Sequence, residues 1–194
     1  MVLNTHPDFN QPQYKIIEGQ IRECYGRVVY THKTHEKCAD TLILLNSRIK
    51  ITQIILSAIT TGGLIATITN IEGKIGAIIS VLLSTLLLIL NTYIKNYDLG
   101  EIAEKHRQAA REIWLIREKY LSLLTDIKMG QMPIEDIQTT RNKLLEDLHR
   151  VYTGAPSTNY KAYCEAREAL KNLEEMTFSS EEIDQILPED LRRI

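Results

Sequence analysis

Two uncharged apolar runs lie almost back to back in the middle of the chain. The first covers residues 51–71 and the second residues 75–94, and neither contains Asp, Glu, Lys or Arg. At about 1.5 Å rise per helical residue, each run is long enough to cross a hydrocarbon core of roughly 30 Å. Only Glu72, Gly73 and Lys74 separate the two runs. The pattern predicts two transmembrane helices, joined by a minimal turn into a helical hairpin.

Apolar positions on both sides of this hairpin recur every three or four residues, which is typical of helices that pack along a coiled-coil seam. One such pattern runs from Tyr14 to Ile49 and another from Ile102 to Ile127. They predict one long helix over about 13–69 and another that ends near Gly130, a residue suited to a C-cap. We expect the two extensions to pack antiparallel. The cytoplasmic seam is assigned to Ile21, Val28, His35, Leu42, Ile113, Ile116, Tyr120 and Leu123.

Shorter helices are expected in the remainder of the chain. Pro133 suits the first turn of a helix that runs to about residue 152, and a further helix is expected over about 159–175. Ser179 and Glu182 have the spacing of a capping box. The fold class is therefore all-α: an integral membrane hairpin, extended by long cytoplasmic helices and braced by shorter C-terminal helices. The predicted organisation is a flexible N-terminus (1–12), a cytoplasmic helix (13–50), the transmembrane hairpin (51–94), a cytoplasmic helical region (95–176) and a short helical or mobile tail (177–194).

Charge placement gives an orientation for the hairpin. Arg48 and Lys50 precede the first run, and Lys95, Lys105 and Arg107 follow the second. The positive-inside rule then places both termini in the cytoplasm. The first run begins some fifty residues into the chain and is expected to act as an uncleaved anchor. With a formal net charge of −2, the chain gives no general case for direct nucleic-acid binding.

A second interpretation places the two apolar runs at the buried centre of a soluble helical bundle, because a helix that is apolar all round suits either setting. Two adjacent spans with basic flanks and a nearly neutral turn favour the lipid bilayer. The three cysteines are an odd number without framework spacing, which indicates packing residues in a reducing compartment.

Small residues recur every four positions on one face of each membrane run. This spacing lets helix backbones approach closely, which is how membrane helices pack without a hydrophobic driving force. The face is expected to close the hairpin on itself; the alternative is packing between chains. The small residues are Ala58, Gly62 and Ala66 in the first run and Gly76, Ser80 and Ser84 in the second.

A polar stripe lies on the opposite side of the first run. Gln53, Ser57, Thr60 and Thr67 fall about 180° from the small-residue face, at 100° per residue. In an assembly of several copies the stripe is a candidate lining for an aqueous path. It is equally suited to hydrogen bonding within the membrane. Charged residues are absent from the middle of both runs, which disfavours proton relay or ion-coupled transport.

Candidate chemistry is sparse elsewhere. His32, His35 and Cys38 spread over about 120° of a helix, which is wide for one tetrahedral metal site, and packing roles are expected for them. Neither a phosphate-binding loop, a nucleophile elbow nor a zinc-protease motif is present. We therefore predict no catalytic residues, no metal and no cofactor, and the chain is not expected to be an enzyme.

The order of short motifs around the hairpin resembles a known family. The cytoplasmic helix carries YTHKTHEKCAD (30–40), and the second extension carries WLIREKY (114–120), Gly130, RNKLL (141–145), VYTGAP (151–156) and Ala162-Tyr163. In this arrangement the chain resembles the SLATT family, the two-transmembrane effectors of bacterial nucleotide-signalling and related conflict systems. The likeness covers about residues 12–175.

The resemblance implies an effector of antiphage defence in the bacterial inner membrane. It would form homo-oligomers that permeabilise the membrane when a cytoplasmic sensor or other partner from the same locus is triggered, and so kill or arrest the cell. The family has no established catalytic residues to transfer. The alternative function is a non-conducting, membrane-anchored scaffold that recruits a cytoplasmic partner.

Overall fold

The computed structural model describes residues 12–68, 73–130 and 132–193, and every regular element among them is helical. This confirms the all-α fold class. The first long helix has nearly the predicted bounds. The elements are α1 (Pro12–Ile68), α2 (Gly73–Asn96), α3 (Leu99–Met129), α4 (Ile134–Gly154), α5 (Tyr160–Lys171), α6 (Ser180–Ile186) and a 3₁₀ turn (Glu189–Leu191).

Local signals fix most of the helix ends. Helix α3 ends where Gly130 takes a φ of 73°, the left-handed conformation that glycine adopts without steric cost. At its start, the Glu101 N–H donates to Asp98 Oδ1 at 2.9 Å, so Asp98 satisfies one of the free amides of the first turn. Ser179 and Glu182 form the expected capping box of α6.

Helix α5 is shorter than its apolar pattern predicts, because it ends at Lys171 rather than near residue 175. Glu174 and Met176 both have a positive φ, of 51° and 74°. The Leu173 N–H donates to the Glu168 carbonyl at 3.2 Å and the Glu175 N–H donates to the Ala169 carbonyl at 3.0 Å, so the turn folds back onto the last carbonyls of the helix. Since neither left-handed residue is a glycine, the sequence gives no local signal for this turn.

The chain divides into two compact units, and the first comprises Met1–Lys37 together with Ala109–Ile194. Within it the beginning of α1 packs antiparallel against α3. Tyr14 Oη donates to the Met132 carbonyl at 3.4 Å, and the Cys24 and Tyr120 side chains are hydrogen-bonded. Helix α4 covers this pair with Ile137 and Leu144. The core includes Ile21, Val28, Ile113, Ile116, Tyr120 and Leu123 from the predicted seam, all of them buried.

The second unit, Cys38–Gln108, holds the two apolar runs. Only 6% of the most apolar window of each long helix is buried inside the structure. A soluble core helix would be mostly covered by protein, so these faces need another apolar environment, which lipid supplies. Residues 69–72, which include Glu72 of the predicted turn, lie outside the described residues, and Gly73 already begins α2.

Candidate functional site

The two membrane helices come close together at Gly63 of α1. A Cβ built on Gly63 would lie 2.6 Å from Ser80 Oγ and 4.0 Å from the Gly76 carbonyl oxygen of α2. Thr60, one turn earlier on α1, is only 9% exposed, and Ser80 is 3% exposed. Residues without bulk therefore let the two backbones meet here, as in other membrane helix pairs.

The structure places the predicted small residues on different sides of the hairpin. Gly76 and Ser80 lie at the contact, but Ala58, Gly62 and Ser84 are exposed, and a Cβ on Gly62 would meet no atom within 4 Å. Gly63, not Gly62, faces α2. Successive residues are rotated by about 100° on a helix, so a shift of one position moves the face far from its partner. The Ala66 side chain lies outside the described residues.

The residues of the predicted polar stripe have different surroundings in the structure. Thr60 turns into the contact, where its Oγ1 donates to the Leu56 carbonyl at 2.8 Å. Gln53 reaches across to α2, and its Nε2 donates to Asn91 Oδ1 at 2.6 Å. Ser57 is exposed on the hairpin surface. The Thr67 side chain lies outside the described residues.

A shallow groove opens beside the helix contact, lined by Leu64 of α1 and by Ser80, Val81, Ser84 and Thr85 of α2 among others. The Thr85 hydroxyl donates to the Val81 carbonyl at 2.9 Å, so its hydrogen-bonding need is met within its own helix. This edge of the hairpin combines small hydroxyl groups with apolar side chains, a composition that lipid, another helix or water can cover.

A polar cluster lies in the first unit, where α1 meets the turn that follows α5. Lys33 Nζ is 2.6 Å from Glu175 Oε2 and 2.9 Å from Glu36 Oε2, and Lys37 Nζ is 3.3 Å from Glu175 Oε1. Burial by itself would lower the pKa of Lys33, but the hydrogen bonds to Glu175 and Glu36 outweigh it and raise that pKa. Chiefly through its hydrogen bond to Lys33, the pKa of Glu175 is lowered. Both groups therefore stay charged at neutral pH.

His32 is a second buried titratable group, next to Lys33. Its Nδ1 has no hydrogen-bond partner among the described residues, and its Nε2 lies 3.7 Å from Glu36 Oε1. Burial is the largest influence and lowers the pKa of His32. Nearby Arg117 and Lys33 act in the same direction, against the opposing pull of Glu36 and Glu118. The imidazole is consequently neutral at physiological pH.

Acidification is expected to destabilise the fold through its buried histidines. Burial lowers the pKa of His32 and of His106 below the ordinary 6.5, so the unfolded chain binds these protons first as the pH falls through 6.5. The melting temperature in detergent should therefore drop between pH 7.5 and pH 5.5. His32→Gln should reduce that drop, whereas the same change at exposed His149 should leave it intact. An equal drop in His32→Gln and the unmodified chain would contradict this assignment.

The seam adds one more perturbed group but no metal site. Burial, followed by the interactions with Cys24, raises the pKa of Tyr120 to about 12, so the phenol remains protonated in the core. Over the part of the chain that the structure describes, no group of three or more His, Cys, Asp or Glu side chains is placed to hold a metal ion. The features that the fold presents are therefore a membrane hairpin and the polar cluster around Lys33.

An all-α chain with two long, lipid-compatible helices defines a two-transmembrane protein of the inner membrane. The family model described as SMODS and SLOG-associating 2TM effector domain family 4 matches residues 17–182, and the chain belongs to that family. No match was found among curated proteins or solved structures. The family consists of two-transmembrane effectors associated with nucleotide-signalling conflict systems, and it is not a known enzyme family.

Proposed function

We propose that copies of this chain assemble in the inner membrane, with both termini cytoplasmic, and permeabilise the membrane when a partner from the same defence locus is triggered. Cell death or arrest would follow. Membership of the effector family supports the general role. The observation that supports permeabilisation is the Gln53–Asn91 pair, because Gln53 is only half-buried and Asn91 is exposed on the hairpin.

Two partly exposed amides are unfavourable next to hydrocarbon, since lipid offers them no hydrogen bonds. Assembly of several hairpins around water would cover the apolar sides and hydrate this edge. Exposed Ser57 and Ser84 are the further lining candidates, and Thr60 now serves the intrachain contact. Exposed Ala58 and Gly62 supply a small-residue face for packing between copies. This proposal retains Gln53 and Ser57 from the sequence prediction.

The experiment that tests the proposal is membrane integrity in bacteria during induced expression. Potential-sensitive and impermeant dyes would compare the native chain with Gln53→Leu plus Asn91→Leu, which removes both amides and leaves neither unpaired. We expect the native chain to depolarise the cells. At equal membrane levels, depolarisation by the double variant should be at least tenfold weaker, which corresponds to a loss of about 1.4 kcal/mol in the free energy of assembly.

Thr92→Val is the matched control, because exposed Thr92 neighbours Asn91 and its hydroxyl donates to the Leu88 carbonyl of its own helix. It should depolarise as the native chain does. Unchanged depolarisation in the double variant would discard this lining. If the native chain never depolarises cells, even with the neighbouring genes of its locus co-expressed, the permeabilising role is wrong.

An exposed aromatic group favours the second candidate function, a scaffold that recruits a cytoplasmic protein. The rings of Tyr160 and Tyr163 are stacked with their centroids 6.3 Å apart, and the ring centroids of Tyr30 and Tyr163 are 6.1 Å apart. Tyr160 is 80% exposed. Tyrosines of this kind are enriched where proteins bind one another. A chain that never depolarises cells but retains a partner through these rings would have the scaffold function.

A further inference from the structure

The turn that follows α5 is held in an unfavourable backbone conformation by contacts to α1 and α3. Glu174 and Met176 flank Glu175 and have left-handed φ values of 51° and 74°. Residues with a Cβ avoid this region, and they persist there only where the surroundings compensate. The segment 172–177 is called the Glu175 latch below.

Three observed contacts compensate for the strain. Lys33 and Lys37 of α1 hold the Glu175 carboxylate at 2.6 and 3.3 Å, and Arg117 of α3 donates to Met176 Sδ at 3.8 Å. Lys33 is largely buried, with 11% of its side chain exposed. Opening the latch would remove one of its two carboxylate partners and leave only Glu36. A buried ammonium is costly to leave underpaired, so the closed state depends on Glu175.

The backbone strain at Glu174 and Met176 therefore favours an open turn, whereas the pairing of Glu175 with the two lysines favours the closed turn. The helix that carries Lys33 and Lys37 is α1, which continues to Ile68 and includes the first membrane run. A contact that fixes this helix to α5 restricts how the cytoplasmic helices can repack. Balanced opposing terms are the physical basis of an element with two accessible arrangements.

We propose that the Glu175 latch is an autoinhibitory contact that holds the effector in its resting state, and that activation requires its opening. The proposal rests on the permeabilising function given above. The regulated contact is Lys33–Glu175–Lys37. A closed latch restrains the membrane helices, and an open latch releases them.

Glu175→Gln is the test variant, because it keeps the shape of the side chain and removes the charge that binds both lysines. Amide hydrogen exchange of the detergent-solubilised protein reports opening of the latch at Leu173, Glu175 and Thr177, whose N–H groups donate to the carbonyls of Glu168, Ala169 and Glu174. We expect exchange about tenfold faster or more. In cells, the variant should depolarise the membrane at a lower expression level than the native chain, without a trigger.

Two further variants make the result specific. Glu181→Gln neutralises an exposed carboxylate outside the latch and should behave as the native chain in both assays. Lys37→Gln removes only the longer of the two lysine contacts, and Lys33 keeps both of its carboxylate partners. It should speed exchange and lower the expression level needed for depolarisation less than Glu175→Gln does. A general effect of altered charge would be similar in the two variants, since each changes the net charge by one.

The outcomes separate this proposal from the function on which it rests. Unchanged exchange in Glu175→Gln would overturn the latch as a structural contact. Faster exchange without earlier depolarisation, in cells where the native chain depolarises at high expression, would overturn its inhibitory role alone. Absence of depolarisation by every chain at every expression level would overturn the permeabilising function, and the inhibitory role with it.

Discussion

Gly63→Leu is expected to separate the two membrane helices and abolish any activity that depends on the closed hairpin. A Cβ at this position would overlap Ser80 Oγ at 2.6 Å. Rotation of the Ser80 hydroxyl can relieve that single overlap, so Gly63→Ala should be mild. The additional carbons of leucine extend toward α2, where the backbone at Gly76 cannot rotate away. Overpacking of this kind typically costs about 1–3 kcal/mol, occasionally more.

Gly62→Leu provides the matched control, because it makes the same change one residue earlier, where a Cβ would meet nothing within 4 Å. Thermal stability in detergent should fall for Gly63→Leu and stay native for Gly62→Leu. Equal stability of the two variants would contradict the helix contact. Crosslinking in membranes then tests the outer face, which carries Gly62. If Gly62→Leu has native stability but forms fewer crosslinked oligomers, this face packs between copies of the chain.

The adjacent glycines show why the contact face could not be predicted from the sequence. In a soluble helix, polar residues mark the solvent side and apolar residues mark the core. In a membrane the lipid side is as apolar as the packed side, so hydropathy does not distinguish them. Small residues occur on both sides of α1, at Ala58 and Gly62 and again at Gly63. The four-residue spacing alone indicates Ala58 and Gly62, which are exposed. The face that contacts α2 is marked instead by the polar and small residues Gln53, Thr60 and Gly63.

The helices outside the apolar runs are easier to predict, because water restores the contrast between the buried and exposed faces. The pattern that includes Ile21, Val28 and Ile113 anticipated residues that the structure buries completely. The polar cluster was beyond this reasoning. Lys37 and Glu175 are 138 residues apart, and the turn that brings them together uses non-glycine residues at positive φ. Such a turn is stabilised by its tertiary contacts, so no local pattern encodes it.

Ile21→Ala is expected to destabilise the packed core of α1, α3 and α4 strongly. Ile21 has no exposed surface and lies in the core formed by α1, α3 and α4. Truncation of a buried isoleucine removes transfer free energy and leaves a cavity, at a cost of about 2–5 kcal/mol. Total stabilities of domains are about 5–15 kcal/mol, so this one change removes a large share. The thermal midpoint of the detergent-solubilised protein, followed by circular dichroism, should fall by several degrees.

Ile16→Ala separates burial from helix propensity, because it makes the same substitution on the same helix at a residue that is 74% exposed. It should change the free energy of unfolding by no more than about 0.5 kcal/mol. Both variants should still fractionate with membranes, since neither alters the apolar runs that supply insertion. A similar loss of stability in the two variants would mean that α1 does not bury the Ile21 face. Loss of membrane association in Ile21→Ala alone would instead make insertion depend on the cytoplasmic core.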